Sequence, residues 1–227
     1  MHVEEHFTQS DLIKDIVIGM ADGLTVPFAL AAGLTGAIDN NSIIIVAGIA
    51  EICAGSIAMG LGGYMAGRTE IEHYDSELKR EYREIKEHYE VEKKEVRDVF
   101  SEYGLSEPVQ HLIADELAKD EDKWVDFMMR YELGLEKPHP KRARKSALNI
   151  GIAYIVGGII PLLGYYIANK PYDGLIISAI ITVVCLMLFG YFKSKVTGTP
   201  PIAGALKTVF IGIMAATAAF LIAKIIS

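Results

Sequence analysis

Five apolar runs dominate the chain, at residues 16–38, 42–67, 147–168, 174–192 and 202–226. Each is long enough to cross the hydrocarbon core as a helix, which takes about 20 residues. Between the second run and the third lies a segment of opposite character. Residues 70–136 hold 21 of the chain's 29 acidic residues and only 10 of its 22 basic ones, a net charge of −11. This segregation is how 51% hydrophobic residues coexist with 22% charged ones in one chain. It excludes an ordinary soluble globule and an acidic disordered chain alike. The pattern predicts an all-α integral membrane protein with five transmembrane helices and a three-helix cytoplasmic domain inserted between spans 2 and 3. Its parts are 1–69 (N-terminal segment and spans 1–2), 70–140 (acidic domain) and 141–227 (spans 3–5).

Lys and Arg near the span ends set orientation. Lys14, Arg68, Lys141, Arg142, Arg144, Lys145, Lys193 and Lys195 fall on one side, and Lys170 and Lys224 on the other. The N-terminus and the acidic insertion are therefore expected in the cytoplasm. The flank of the first run carries Glu4 and Glu5 and no basic residue, the reverse of a secretory signal. Cys53 and Cys185 lie inside apolar runs and build neither a disulfide framework nor a thiolate metal site. A pI near 5.4 argues against a nucleic-acid partner.

The first two spans carry ionisable residues, Asp22 and Glu51. A charge at mid-membrane costs roughly 2.5–3.5 kcal/mol on insertion scales, so such residues point to function. Asp15 precedes Asp22 by seven residues, nearly two full turns, and shares its face. Gly19 and Gly23 bracket Asp22 in a small-xxx-small pattern that allows close helix approach. Met59 follows Glu51 by eight residues, and counting rise per residue puts Asp22 and Met59 at similar depth. Pro27 frees a backbone carbonyl nearby. Together these read as a cation path lined by Asp22, Glu51 and Met59. Protonated acids hydrogen-bonded between helices, a packing methionine and a solvated Asp15 are the plainer alternatives.

In the insertion, no Gly or Pro interrupts 70–100, and Ile71, Tyr74, Leu78, Tyr82, Ile85, Tyr89, Val96 and Val99 form an amphipathic stripe. One helix is expected there, with shorter ones over 107–119, after the cap-like Ser106, and over 123–133, before Gly134. Beside the apolar stripe runs an acidic one: Glu77, Glu81, Glu84, His88, Glu92, Glu95. Carboxylates this dense repel unless they are well solvated or hold a cation. Met128, Met129 and Glu132 on the third helix could close oxygen-rich sites, which suit Mg, Ca, Mn or ferrous Fe. A solvated face paired with Lys79, Arg80, Arg83, Lys86, Lys93 and Lys94 is the alternative. Within the expected helices only Glu70–His73 fits Glu-x-x-His, so a ferritin-type di-iron centre is not expected.

Residues 15–34, DIVIGMADGLTVPFALAAGL, resemble span 1 of the vacuolar iron transporter family, and Glu51 followed by Gly55, Ser56, Met59 and Gly60 resembles its span 2. The resemblance covers essentially the whole chain. It implies a homodimer through spans 1 and 2 that exports ferrous iron, with Mn and Co, from the cytoplasm in exchange for protons. Asp22, Glu51 and Met59 would then be pathway ligands and Asp15 a group near the cytoplasmic entrance. It also implies that Glu81, Glu84, Glu92, Glu95 and Glu132, with Met128 and Met129, bind divalent Fe, Mn, Co or Zn. No permanently bound cofactor is expected, and no Walker A pattern supports ATP hydrolysis. A vacuolar membrane and a prokaryotic cell membrane fit equally. A membrane-anchored metal sensor or buffer, and less readily a membrane ferroxidase, are the competing readings.

Overall fold

The computed structural model describes residues 6–226, so the acidic flank at Glu4 and Glu5 lies outside the described residues. The chain forms α1 (His6–Ala37), α2 (Asn41–Glu87), α3 (Tyr89–Glu102), α4 (Glu107–Leu117), α5 (Glu121–Phe127), a π-helical turn (Met128–Glu132), α6 (Arg142–Ile167), α7 (Pro171–Val196) and α8 (Pro201–Ile226). No strand occurs among the described residues. Five helices, α1, α2, α6, α7 and α8, are long and apolar enough to cross a membrane, as the five runs predict. The chain divides into two compact units: Met1–Met65 with Ala143–Ser227, and Ala66–Arg142.

In the first unit, small residues decide which helices touch. A Cβ on Gly19 would stand 2.3 Å from the Ile150 carbonyl oxygen of α6, and one on Gly23 would stand 2.4 Å from that of Tyr154. The small-xxx-small pattern around Asp22 therefore packs α1 on α6 within the chain, and is not left free for a second copy. Helix α2 also packs on α6: Gly48 faces Leu162, and Gly60 lies against the Ala147 carbonyl. Ala31, Ile44, Ile52, Leu162 and Tyr165 close a core between α1, α2 and α6. Helix ends need partners for their free carbonyls: Asn41 Nδ2 donates to the carbonyls of Ala168 (2.6 Å) and Tyr165 (3.3 Å) at the end of α6. The outward faces are apolar, with Val46, Ile57, Leu61, Ile180 and Phe210 all exposed. That is the surface a bilayer requires, since lipid rewards no polar contact.

The second unit has its own core of Tyr74, Ile85, Val96, Ala114, Trp124, Val125, Met128 and Met129. The expected helix over 70–100 is interrupted: α2 ends at Glu87, and His88 (φ −128°, ψ 35°) stands between it and α3. The hydrogen-bond ladder resumes at once, with Val91 and Glu92 N–H both donating to the His88 carbonyl. No Pro or Gly marks this break, so sequence gives no sign of it. Its consequence is packing: Glu92 and Val96 of α3 are both buried. Ser106 stands at the start of α4 as expected, but its hydroxyl makes no capping bond. Asp120 does cap α5, its carboxylate accepting the Lys123 N–H at 3.3 Å. Gly104 and Gly134 take positive φ (75° and 63°) where the chain leaves α3 and the π turn, the left-handed conformation glycine adopts at least cost.

Candidate functional site

Of the two carboxylates predicted inside spans 1 and 2, Glu51 meets a side chain of α6. Tyr154, 2% exposed, donates its hydroxyl to Glu51 Oε1. The other oxygen of that carboxylate, Oε2, is buried without a hydrogen-bond partner. Gly55, one turn after Glu51, makes room for the ring, because a Cβ there would stand 2.4 Å from the Tyr154 hydroxyl. On the other side, Gly23 lies against the Tyr154 backbone, and half-buried Asp22 is close enough to act on the phenol electrostatically.

Asp15 does not fit the solvated alternative. It is not a solvated acid: it is 1% exposed, with Ser146 Oγ donating to Oδ1 at 2.9 Å and Asn149 Nδ2 to Oδ2 at 3.2 Å. Burying a carboxylate is costly unless it is well hydrogen-bonded, and these two donors of α6 help to meet that need. The depth estimate for Met59 also shifts. Gly60 packs against Ala147 and Gly23 against Tyr154, seven residues farther along α6, roughly 10 Å at 1.5 Å per residue. Half-buried Met59 is therefore closer in depth to Asp15 than to Asp22. Counting from assumed span ends missed the offset with which α1 and α2 cross α6. Tyr154, Ser146 and Asn149 were not singled out from sequence. The available signal was Asn149 and Tyr154 as polar side chains within the third apolar run.

In the acidic unit the stripe is gathered from two helices and the π turn. Glu81 is 1% exposed and Glu92 5%. Burial pushes the Glu81 carboxyl up to about 7, reinforced by Glu132 and Glu84 and opposed by Arg80. Burial likewise pushes Glu92 up to about 8, with Glu95, Glu81, Glu84 and Glu132 adding repulsion. Glu132 is raised by desolvation first and Glu95 second, although much of its surface is open. Glu81 and Glu92 each feel the charges of Glu84, Glu95 and Glu132. His88 does not join them: it sits exposed at the helix break. Met128 and Met129 are fully buried members of the apolar core. The π turn that carries them, with the Leu133 N–H reaching the Met128 carbonyl at 3.1 Å, was not foreseen. Such turns recur at functional sites.

Among the described residues, no three His, Cys, Asp or Glu side chains converge into a ready ligand set. What the unit offers is a crowd of carboxyls, one of them, Glu81, with a buried Oε2 that no hydrogen bond satisfies. All-oxygen donors of this kind fit a hard or borderline divalent ion. A cation would relieve both the repulsion and the orphaned oxygen.

Comparison with known proteins identifies the family. A family model described as the VIT family matches residues 13–224. Vacuolar iron transporter 1 of Arabidopsis thaliana is 49% identical over 225 residues, covering 99% of this chain and 90% of that protein. Vacuolar iron transporter of Centaurea cyanus is 48% identical, over 98% of this chain and 91% of the relative. Protein CCC1 of Saccharomyces cerevisiae is 36% identical, over 95% of this chain and 69% of its own length. The plant relatives carry the names of transporters and not of enzymes. With helices long enough to span a membrane in both halves of the chain and a family match across nearly all of it, this multi-pass membrane protein belongs to the VIT family.

Proposed function

We propose that this protein moves ferrous iron, with manganese and cobalt as further substrates, out of the cytoplasm in exchange for protons. The observation that carries the reading is the Glu51 carboxylate: one oxygen held by Tyr154, the other buried and unpartnered, with Gly23, the neighbour of Asp22, packed on the backbone of the same tyrosine. Glu51 loses its proton to take an ion and regains one when the ion leaves. Metal and proton compete for one group, which couples the two fluxes without a nucleotide. Asp22 supplies the second carboxylate, Met59 a thioether that tolerates softer ions, and Asp15, held by Ser146 and Asn149, negative charge nearer the cytoplasmic side.

Glu81, Glu84, Glu92, Glu95 and Glu132 bind divalent Fe, Mn, Co or Zn and raise the local concentration of the cargo, with Met128 and Met129 beside them. The acidic unit and the N-terminus face the cytoplasm, as the Lys/Arg distribution indicates. Two copies associate through spans 1 and 2. Leu12, Ile16 and Val26 of α1 and Val46, Ile57 and Leu61 of α2 remain exposed and supply apolar surface for that contact. The relatives' names point to a vacuolar membrane, and a prokaryotic cell membrane suits the same architecture.

Uptake of ferrous iron by proteoliposomes tests this reading against a membrane-anchored sensor. Accumulation inside vesicles, driven by an opposing proton gradient, supports transport. Saturable binding with no accumulation would replace the transporter with a buffer.

A further inference from the structure

Arg80 lies among the glutamates of α2 with its fork turned to three of them. Its Nη1 is 2.8 Å from Glu77 Oε2, its Nε donates to Glu84 Oε2 at 3.1 Å, and its Nη2 is 4.0 Å from Glu81 Oε1. Neighbouring basic residues are directed elsewhere, Arg83 to Glu87 and Lys86 to Glu121. We propose that Arg80 is a built-in counter-cation of the acidic cluster, one that stabilises the metal-free state, competes with a divalent ion for Glu84 and Glu81, and so sets the affinity of the site. The proposal rests on the reading that this cluster binds divalent ions, to which the buried, unpartnered Oε2 of Glu81 points independently.

The physical argument is one of charge and of oxygen supply. A divalent ion taken by Glu84 and Glu81 must draw Glu84 Oε2 away from the guanidinium. It must also stand near a fixed positive charge, since Arg does not deprotonate in proteins. A divalent and a monovalent cation about 6 Å apart in a water-like dielectric repel enough to weaken binding roughly tenfold. As an exposed ion pair Arg80 contributes little to fold stability, so affinity is where its charge is felt. A site with such a ballast charge takes up ions when they are abundant and releases them readily, as suits delivery of cargo.

The test is manganese binding to the full-length chain in detergent, measured by calorimetry, for wild type, Arg80→Gln and Arg80→Lys. Circular dichroism and emission from Trp124, the chain's single tryptophan and a member of this unit's core, confirm folding. Arg80→Gln is expected to bind about tenfold more tightly, and Arg80→Lys, which keeps the charge, to stay within about threefold of wild type. The gap between Arg80→Gln and wild type should narrow at high ionic strength as screening takes over. Wild-type binding with unchanged or weaker affinity in Arg80→Gln would overturn the counter-cation role and leave the acidic site standing. So would an Arg80→Lys chain that binds as tightly as Arg80→Gln. No manganese binding by wild type would overturn both the role and the site it rests on.

Discussion

Tyr154 of α6 touches both acid-bearing helices. Its hydroxyl holds Glu51, its backbone lies under Gly23, and Asp22 sits within its electrostatic reach. Tyr154→Phe keeps the ring that fills the space beside Gly55 and removes only the hydrogen bond. A hydrogen bond to a charged group contributes about 1.5–3 kcal/mol. The variant should therefore fold and reach the membrane while its iron flux falls about tenfold or more, measured in proteoliposomes. Wild-type flux would show that Tyr154 is a packing residue. Asp22 and Glu51 were legible in the sequence because a charge in an apolar run has no ordinary explanation. Tyr154 was not, because tyrosine is common in membrane spans and its partners lie 103 or more residues away in the chain. The burial of Asp15 was hidden for the same reason: Ser146 and Asn149 come from α6, 131 and 134 residues on.

Among the elements, α1 and α6 depend on glycine as much as on apolar area. Gly23→Ala places a Cβ against the Tyr154 carbonyl, where backbone has nowhere to go. Overpacking of this kind costs about 1–3 kcal/mol, so the thermal midpoint in detergent should drop by several degrees. Gly62→Ala meets nothing within 4 Å and should leave the midpoint unchanged or slightly raised, since alanine is the better helix former. Equal effects at the two sites would contradict the packing described. Sequence identified both as small residues in spans; only the fold tells which one is in contact.

The acidic unit carries a pH dependence of definite sign. Folding raises Glu81 to about 7 and Glu92 to about 8 from an ordinary 4.5. The folded unit therefore binds more protons than the unfolded one between about pH 4.5 and 8, and metal-free stability falls as pH rises through that window. Trp124 fluorescence reports this unit alone, since it is the chain's single tryptophan. Its melting temperature should fall from pH 5 to pH 8, and manganese should restore it at pH 8. A flat or rising profile without metal would show that the glutamates are solvated. The helix stripe was legible from spacing alone. The break at His88 and the π turn were not, because neither is marked by Pro or Gly.

For the whole molecule, the proposed dimer makes a geometric demand. Because Gly19 and Gly23 are occupied by α6, any contact between copies must use the outer apolar faces of α1 and α2. In a chain with Cys53 and Cys185 replaced by Ser, Ile38→Cys should crosslink between copies. Crosslinks arising only from cysteines placed on α7 or α8 would put the interface elsewhere. Five spans and an acidic insertion were readable from the apolar runs and the charge. How α1 and α2 both pack on α6 was not, since hydropathy carries no information on helix neighbours.

The central claim is that Glu51 couples metal to proton, and iron flux with internal pH in proteoliposomes under a set proton gradient tests it most directly. Wild type should carry iron toward the acidic side while protons move the other way. Glu51→Gln keeps shape and hydrogen-bonding capacity but cannot exchange a proton. It should remain folded and lose at least tenfold of the gradient-driven flux, about 1.4 kcal/mol, with Asp22→Asn similarly impaired and Met59→Leu less so. Iron flux by Glu51→Gln with wild-type proton coupling would contradict the account and make Glu51 a structural acid.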